Sequence, residues 1–380
     1  MLPLNQGQDS LPAVAHKFTA LESEETGQTK PTKATGKITA LLVLGMHHSG
    51  TLAFSRAFSL LGANTLTISM PESAGNKIPG SRDSQDISRL NDDILDSAGS
   101  SWDDWRRFNS DWFLTGEWEI FKSRALAILA SEIGNSTFFI LQDPRICRLL
   151  PFWLEVLRDM GAETKCLVVI RNPLEVAASL RSREGFSSLK SQALWLRYLI
   201  DLEQDSRLIT RTFCHYEDLL GDWRDVIDRL AGDLDLAWPR RFARSDEKLD
   251  RLIDERHPPR VLMKNQIGSS TGMTSWVKDA YDVFLELHAD YDIDHVNQRL
   301  DDIRSAFDQS CEFLGALVKD EEIARIEVKA AFSARIDELE GLAAQREARI
   351  GELETYAAQR EARVGELEDI AAQSGARVAD

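Results

Sequence analysis

The chain has 380 residues, 43% of them hydrophobic and nine of them tryptophan, enough for one large α/β domain plus a smaller element. Its formal charge of −17 argues against a nucleic-acid partner and against an anionic membrane surface, since both select a basic face. An anionic substrate must then be held by a local basic pocket, so individual arginines carry weight.

Residues 1–36 are polar and patternless and are expected to be a disordered leader. They show no basic region followed by an apolar one, so no signal peptide is expected, and no apolar run in the chain reaches membrane-spanning length. Cys147, Cys166, Cys214 and Cys311 are far apart, with no CxxC or Cys/His cluster. Buried free thiols, no metal site, no integral membrane contact and a cytoplasmic location are the expectations.

The run Ile38–Leu44 has the length and β-branched content of a doubly buried parallel strand. It enters Gly45-Met46-His47-His48-Ser49-Gly50-Thr51, after which Leu52, Phe54, Ala57, Phe58 and Leu61 mark an amphipathic helix. A glycine loop between strand and helix aims backbone N–H groups and the positive helix end at one point, which makes a phosphate or sulfate cradle. The spacing is that of a P-loop, but Thr51 stands where nucleoside-triphosphate hydrolases carry lysine. The loop is therefore expected to hold its anion without Mg²⁺.

Residues 63–82 read as a long loop, followed by a helix at about 84–97, an irregular tryptophan-rich stretch (102–118) and a helix at about 118–133. Strands are expected at 137–141, ending in Gln142-Asp143-Pro144-Arg145; at 165–170, ending in Arg171-Asn172-Pro173; and at 209–214, ending in His215-Tyr216-Glu217-Asp218. Helices fill the intervals, and a polar loop around 258–272 precedes two more, at about 276–289 and 293–318. Alternating strands and helices predict an α/β fold of three layers, a central parallel sheet flanked by helices. Ligands of such sheets bind beyond the carboxyl ends of the strands, where these polar segments lie. Arg171 and Ser179 are eight residues apart, about two helical turns, and could form a second anion grip; read alone, Arg-Asn-Pro is equally a turn with a surface arginine.

The tail differs from the rest. Residues 343–356 and 357–370 are near copies, two heptads each, with Ile336, Leu339, Ala343, Arg346, Ile350, Leu353, Ala357, Arg360, Val364, Leu367 and Ala371 at a and d. A homo-oligomeric coiled coil through residues 320–380 and a solvated single helix are both open readings, since arginine at d and glycine inside the helix weaken the first. The domain reading is a 1–36 leader, a 37–319 P-loop domain and a 320–380 helical tail.

Gly45-Met-His-His-Ser-Gly-Thr resembles the 5′-phosphosulfate loop of the P-loop sulfotransferases, and Arg171-Asn-Pro-Leu-Glu-Val-Ala-Ala-Ser179 resembles their 3′-phosphate motif. Asp143-Pro-Arg145, Leu150-Pro-Phe-Trp153, Trp102-Asp-Asp and Tyr216-Glu-Asp-Leu-Leu complete a pattern similar to a bacterial branch of that family, over about residues 38–236. The resemblance implies 3′-phosphoadenosine 5′-phosphosulfate as donor, sulfuryl transfer to a hydroxyl or amine of a small-molecule or glycan acceptor, and no metal. It implies that Gly45, His47, His48, Ser49, Gly50 and Thr51 hold the phosphosulfate, and that Arg171 and Ser179 hold the 3′-phosphate. Asp83 takes the place of the family's base, with a helix-terminal charge or cap as its other reading; Asp143 and Arg145 support the site. The chain departs from the pattern at His48, where the family usually has Arg or Lys, and at Gln142, where it usually has Lys. Both changes remove permanent charge from the presumed transition-state site, and each lost donor of this kind typically costs about 10²–10³ in rate. A degenerate binding scaffold that oligomerises through its tail and, from another enzyme class, a nucleotide kinase or triphosphatase are the rival readings.

Overall fold

Strand β1 (Ile38–Leu44) lies at the centre of the sheet, and Ala40 through Leu44 are wholly buried. Its side chains alternate: Ala40, Leu42 and Leu44 enter one apolar cluster, Leu41 and Val43 the other. Burying each leucine contributes about 1.5–3 kcal/mol relative to exposure. The computed structural model describes residues 37–68, 82–239, 243–254, 272–287 and 293–379. The expected leader, most of the expected 63–82 loop and most of the 258–272 loop lie outside the described residues.

Around β1 the sheet runs β2 (Asn64–Thr65), β5 (Phe138–Leu141), β1, β6 (Ala162–Ile170) and β7 (Thr210–His215), all parallel. Four strands were expected; the fifth, β2, is two residues long and sits inside the expected loop, too short to show a period. A separate antiparallel pair joins β3 (Thr67–Ile68) to β4 (Arg82–Asp83).

Helices α1 (Thr51–Leu60), α7 (Tyr216–Gly221), α8 (Trp223–Asp233) and α9 (Ala243–Asp254) cover one face with Phe54, Phe58, Leu219, Ile227 and Leu249. The other face carries α2 (Gln85–Ser97), α3 (Glu117–Ile133), α4 (Ile146–Asp159), α5 (Pro173–Glu184), α6 (Ser188–Asp205) and α10 (Ser275–Glu286). Side chains from the first part of α11 (Ile293–Ala379) join the same layer through Val296, Leu300, Phe307 and Cys311. The expected three-layer α/β architecture, with a long C-terminal helix, is what the chain adopts.

Two local features matter for function. The stretch 101–106 has no regular structure, yet its carbonyls are satisfied by side chains. Arg148 donates to Ser101 O at 3.3 Å, to Asp104 O and to Arg106 O at 2.7 Å; Arg197 donates to Trp105 O at 3.0 Å; the Tyr198 hydroxyl donates to Trp102 O at 2.6 Å. This fixes the tryptophans beside the strand ends. Second, α11 runs through position 319 without a break, so what reads as a helix and a tail is one 87-residue element. Between 316 and 340 there is no Gly or Pro to stop it.

Candidate functional site

The Gly45–Thr51 loop is shaped by close approach. A Cβ on Gly45 would stand 2.5 Å from the Val169 carbonyl oxygen of β6. Gly50 has φ +94, and a Cβ there would lie 2.7 Å from Cε2 and 2.8 Å from Cγ of Tyr216. Both positions therefore admit only glycine, one for space and the other for space and backbone angle. Ser49 N–H donates to Met46 O at 3.0 Å and Ala53 N–H to Gly50 O at 2.8 Å, which turns the chain into α1. His48 has φ 66, a left-handed conformation that costs a non-glycine residue about 1 kcal/mol or more. Gly50 caps α1 without a side chain, so the first-turn N–H groups and the helix dipole face the loop's concavity.

Three buried polar atoms at this point have no hydrogen-bond partner among the described residues: Ser49 Oγ, His47 Nε2 and Gln142 Oε1. Ser49 is fully buried and Gln142 nearly so. An unpaired buried polar atom costs about 1–3 kcal/mol, and the Ser49 hydroxyl is a donor that an anion in the loop would pair. Gln142 crosses from the end of β5 to donate from Nε2 to Thr51 Oγ1 at 3.2 Å, which locks the loop to the neighbouring strand. The connections after β1 and β5 leave on opposite faces of the sheet, so the crevice between these strand ends is a topological switch point.

Arg171, at the end of β6, supplies the second half. It donates from Nη1 to His48 O at 2.8 Å and pairs with Glu175 at 2.9 Å, and its guanidinium lies 5.0 Å above the centre of the Tyr216 ring. Trp195 Nε1 donates to the Arg171 carbonyl at 3.1 Å, and Asn172 caps α5 by accepting from Leu174 N–H at 2.9 Å. The strand-end arginine and the loop are thus one bonded unit. Ser179 lies on α5, partly exposed, two turns further on.

Solved sulfotransferases are similar to this chain. A sulfotransferase from Mycobacterium avium is 14% identical over 67% of this chain and 78% of its own, with a TM-score of 0.43. The sulfotransferase domain of the curacin biosynthetic pathway is 14% identical over 71% of this chain and 98% of its own (TM-score 0.33). That of the Synechococcus PCC 7002 olefin synthase is 14% identical over 74% and 98% (TM-score 0.34). No family model and no curated protein sequence matches the chain.

The local electrostatics oppose protonation of the loop histidines. Burial, and the positive charges of Arg183 and Arg171, push the His48 imidazole below its ordinary range. His47 goes down to about 3, chiefly through burial, with Arg145 adding to it. It packs against Trp102 at 4.7 Å and Tyr198 at 5.8 Å between ring centres. His47 is therefore neutral, and the surroundings of His48 disfavour its charged form. Permanent charge comes instead from guanidinium groups around the loop.

The supporting carboxylate also has a clear place. Asp143 is fully buried and accepts from Ser88 Oγ at 2.7 Å, from Arg145 N–H at 2.9 Å and from Arg145 Nη1 at 3.1 Å. Arg145 is further held by Asp92 at 2.5 Å. Asp143 orients Arg145. Asp83 pairs through its backbone with Thr67 in the small sheet, and the neighbouring Ser84, not Asp83, caps α2 by accepting from Ile87 N–H at 3.2 Å. Glu217 opens α7, and burial pushes its carboxyl up against the pull of Arg171.

Sequence reading brought together the loop, Gln142 and Arg171, and it missed four contributors. Glu175 could have been found as the i+4 acid to Arg171, and Arg183 as the i+4 cation to Ser179. Tyr216 was noted only within its motif, while its contact with Gly50 spans 166 positions and leaves no local trace. Trp195 carries no signal beyond the apolar face of α6. Among the described residues no cluster of His, Cys, Asp and Glu could hold a metal ion, and no helix is long and apolar enough to cross a membrane. All four cysteines are free and buried.

Proposed function

We propose that the chain transfers a sulfuryl group from 3′-phosphoadenosine 5′-phosphosulfate to a hydroxyl or amine of a small-molecule or glycan acceptor. The observation that carries this reading is the 2.8 Å bond from Arg171 to the His48 carbonyl. It makes the phosphate loop and the strand-end arginine a single rim, able to hold the two anionic groups of one nucleotide at once. The fit to a phosphosulfate is supported by the unpaired Ser49 Oγ under the loop and by the uncapped start of α1. A Mg²⁺–triphosphate loop needs a lysine at position 51, and here a threonine bonded to Gln142 occupies it.

In this reading Gly45 to Thr51 grip the phosphosulfate through backbone N–H groups and the Ser49 and Thr51 hydroxyls, while Arg171 and Ser179 take the 3′-phosphate. The donor supplies the sulfuryl group and a leaving phosphate oxygen on which charge accumulates. In this reading His48, and the second N–H of the Gln142 amide, donate hydrogen bonds to that oxygen. Arg171 sharpens the local field without moving, because Glu175 and the His48 carbonyl fix it in advance. Asp83 is our candidate to take the acceptor's proton.

A second reading, a decayed enzyme that binds nucleotide without turning it over, is favoured by one observation: Gln142 carries no charge, and burial with Arg183 and Arg171 disfavours the charged form of His48, where the family usually has cations. Transfer of ³⁵S from labelled donor to a panel of hydroxyl and amine acceptors separates the two. The enzyme reading expects label in an acceptor, a rise on His48→Arg with Gln142→Lys, and a loss of about 10²-fold or more on Asp83→Asn with donor binding unchanged. Donor binding with no transfer from either the natural or the double-variant chain would leave the binding scaffold.

A further inference from the structure

The rear of α11 presents a strip of large apolar side chains to water. Ile336, Leu339, Ile350, Leu353, Val364 and Leu367 are each about half exposed, at 50–55%. They recur as pairs three residues apart, repeated every fourteen; with Ala343, Arg346, Ala357 and Arg360 between them they fall on alternating steps of three and four, the spacing of a two-stranded seam, and an exposed apolar strip of this length marks an interface. We propose that residues 329–371 pair with the same segment of a second copy of this chain as a parallel, in-register coiled coil. The proposal is independent of the reading of the phosphate loop.

Three features select this occupant and this geometry. First, β-branched residues fill alternate a positions (Ile336, Ile350, Val364) with leucine at the following d (Leu339, Leu353, Leu367), the combination that favours two parallel strands. Second, the flanks are charged in one sense only. Every e position from 340 to 368 is glutamate (Glu340, Glu347, Glu354, Glu361, Glu368), and alternate g positions are Arg335, Arg349 and Arg363. In a parallel pair each g faces the e five residues on in the other chain, so Arg335 meets Glu340, Arg349 meets Glu354 and Arg363 meets Glu368 of the second copy. In an antiparallel pair e faces e, glutamate against glutamate, which repels. In the single chain these arginines pair with exposed glutamates three residues on, as in the 2.6 Å pairs Arg349–Glu352 and Arg363–Glu366, so both charges stay within reach of a partner.

Third, the residues that weaken the seam set its register. Arg346 and Arg360 at d follow Ala343 and Ala357 at a, so each arginine layer lies next to a small layer that leaves room for its stems. In register, each arginine also sits beside Glu347 or Glu361 of the second copy. A slip of seven residues would set arginine against leucine and alanine against isoleucine. Gly351 and Gly365 fall at b, on the outside, where they cost helix propensity and no packing.

The test uses the full-length chain. Multi-angle light scattering at about 10–100 μM should give twice the 42.8 kDa chain mass. Leu339→Cys alone should cross-link to itself on mild oxidation, and a mixture of Leu339→Cys with Leu367→Cys should give only the two self-linked products. Reversing the g charges (Arg335→Glu, Arg349→Glu, Arg363→Glu) should raise the dissociation concentration about tenfold or more, and the same three changes should leave the fold's far-ultraviolet signal unchanged. A monomer throughout this range overturns the proposal. So do mixed 339–367 cross-links, which report an antiparallel pair, and a trimer or tetramer mass.

Discussion

Arg148 and Arg197 in the α/β unit have side chains wholly sealed from solvent, whereas Arg335, Arg349 and Arg363 on the tail are 60–68% exposed. The first two are each fitted to a unique set of carbonyls and carboxylates, and neither could be moved by one position. The tail arginines recur every fourteen residues and pair with a glutamate three residues away in the same helix. The contrast shows that one residue type serves two kinds of order. In the α/β unit specificity comes from singular long-range contacts; in the tail it comes from period alone.

The largest test of that contrast is stability. Arg197→Met removes the close partner of Asp201 and Asp308, leaving them only Arg148 at 3.9 Å and Arg107 at 4.0 Å, and should cost about 3 kcal/mol in the thermal or urea transition. Arg349→Met should change the α/β transition by no more than about 0.5 kcal/mol. If the two variants cost the same, the contrast fails.

Glycine gives the next test. Gly50→Ala forces a Cβ into the Tyr216 ring at φ +94, and we expect a loss of about 2–3 kcal/mol together with nucleotide binding. Gly351→Ala meets open space in the helix and should stabilise it by about 1 kcal/mol. Circular dichroism on both variants checks the opposite signs.

Two pH effects are smaller and run in opposite directions. Burial, reinforced by Asp201 and Glu203 and opposed by Arg304 and Arg107, pushes the Asp205 carboxyl up to about 7. The folded state therefore binds a proton that the unfolded chain releases near 3.8, so stability falls as pH rises from about 4 to 7 and is level above. Asp205→Asn should abolish that slope and gain most at neutral pH and above. His47 works the other way: with its value at about 3 against 6.5 unfolded, stability falls as pH drops below 6.5. His47→Gln should make the acid limb of a urea-midpoint profile shallower by one proton; an unchanged limb would mean that the ring is solvated.

Much of this architecture could be read from the sequence because it is local. Apolar runs gave β1, β5, β6 and β7, the glycine pair gave the loop, and heptads gave the helical tail. What stayed hidden is long-range or short. Two-residue β2 has no period. The Gly50–Tyr216 contact and the two arginines holding the tryptophan-rich stretch depend on chain crossings that no window captures. At 319, where the sequence reads as the end of one helix, the helical backbone continues without a break, because no Gly or Pro stands there to stop it.

The bonded rim of loop and Arg171 is the heart of the functional reading, and calorimetry tests it directly. Titration with 3′-phosphoadenosine 5′-phosphate, adenosine 5′-phosphate and ATP–Mg²⁺ should rank the bisphosphate first. Its advantage over the monophosphate should shrink about ten- to hundredfold in Arg171→Met, the loss of one charge-assisted contact. Equal binding of the two adenosine phosphates, or a preference for ATP–Mg²⁺, would contradict the account.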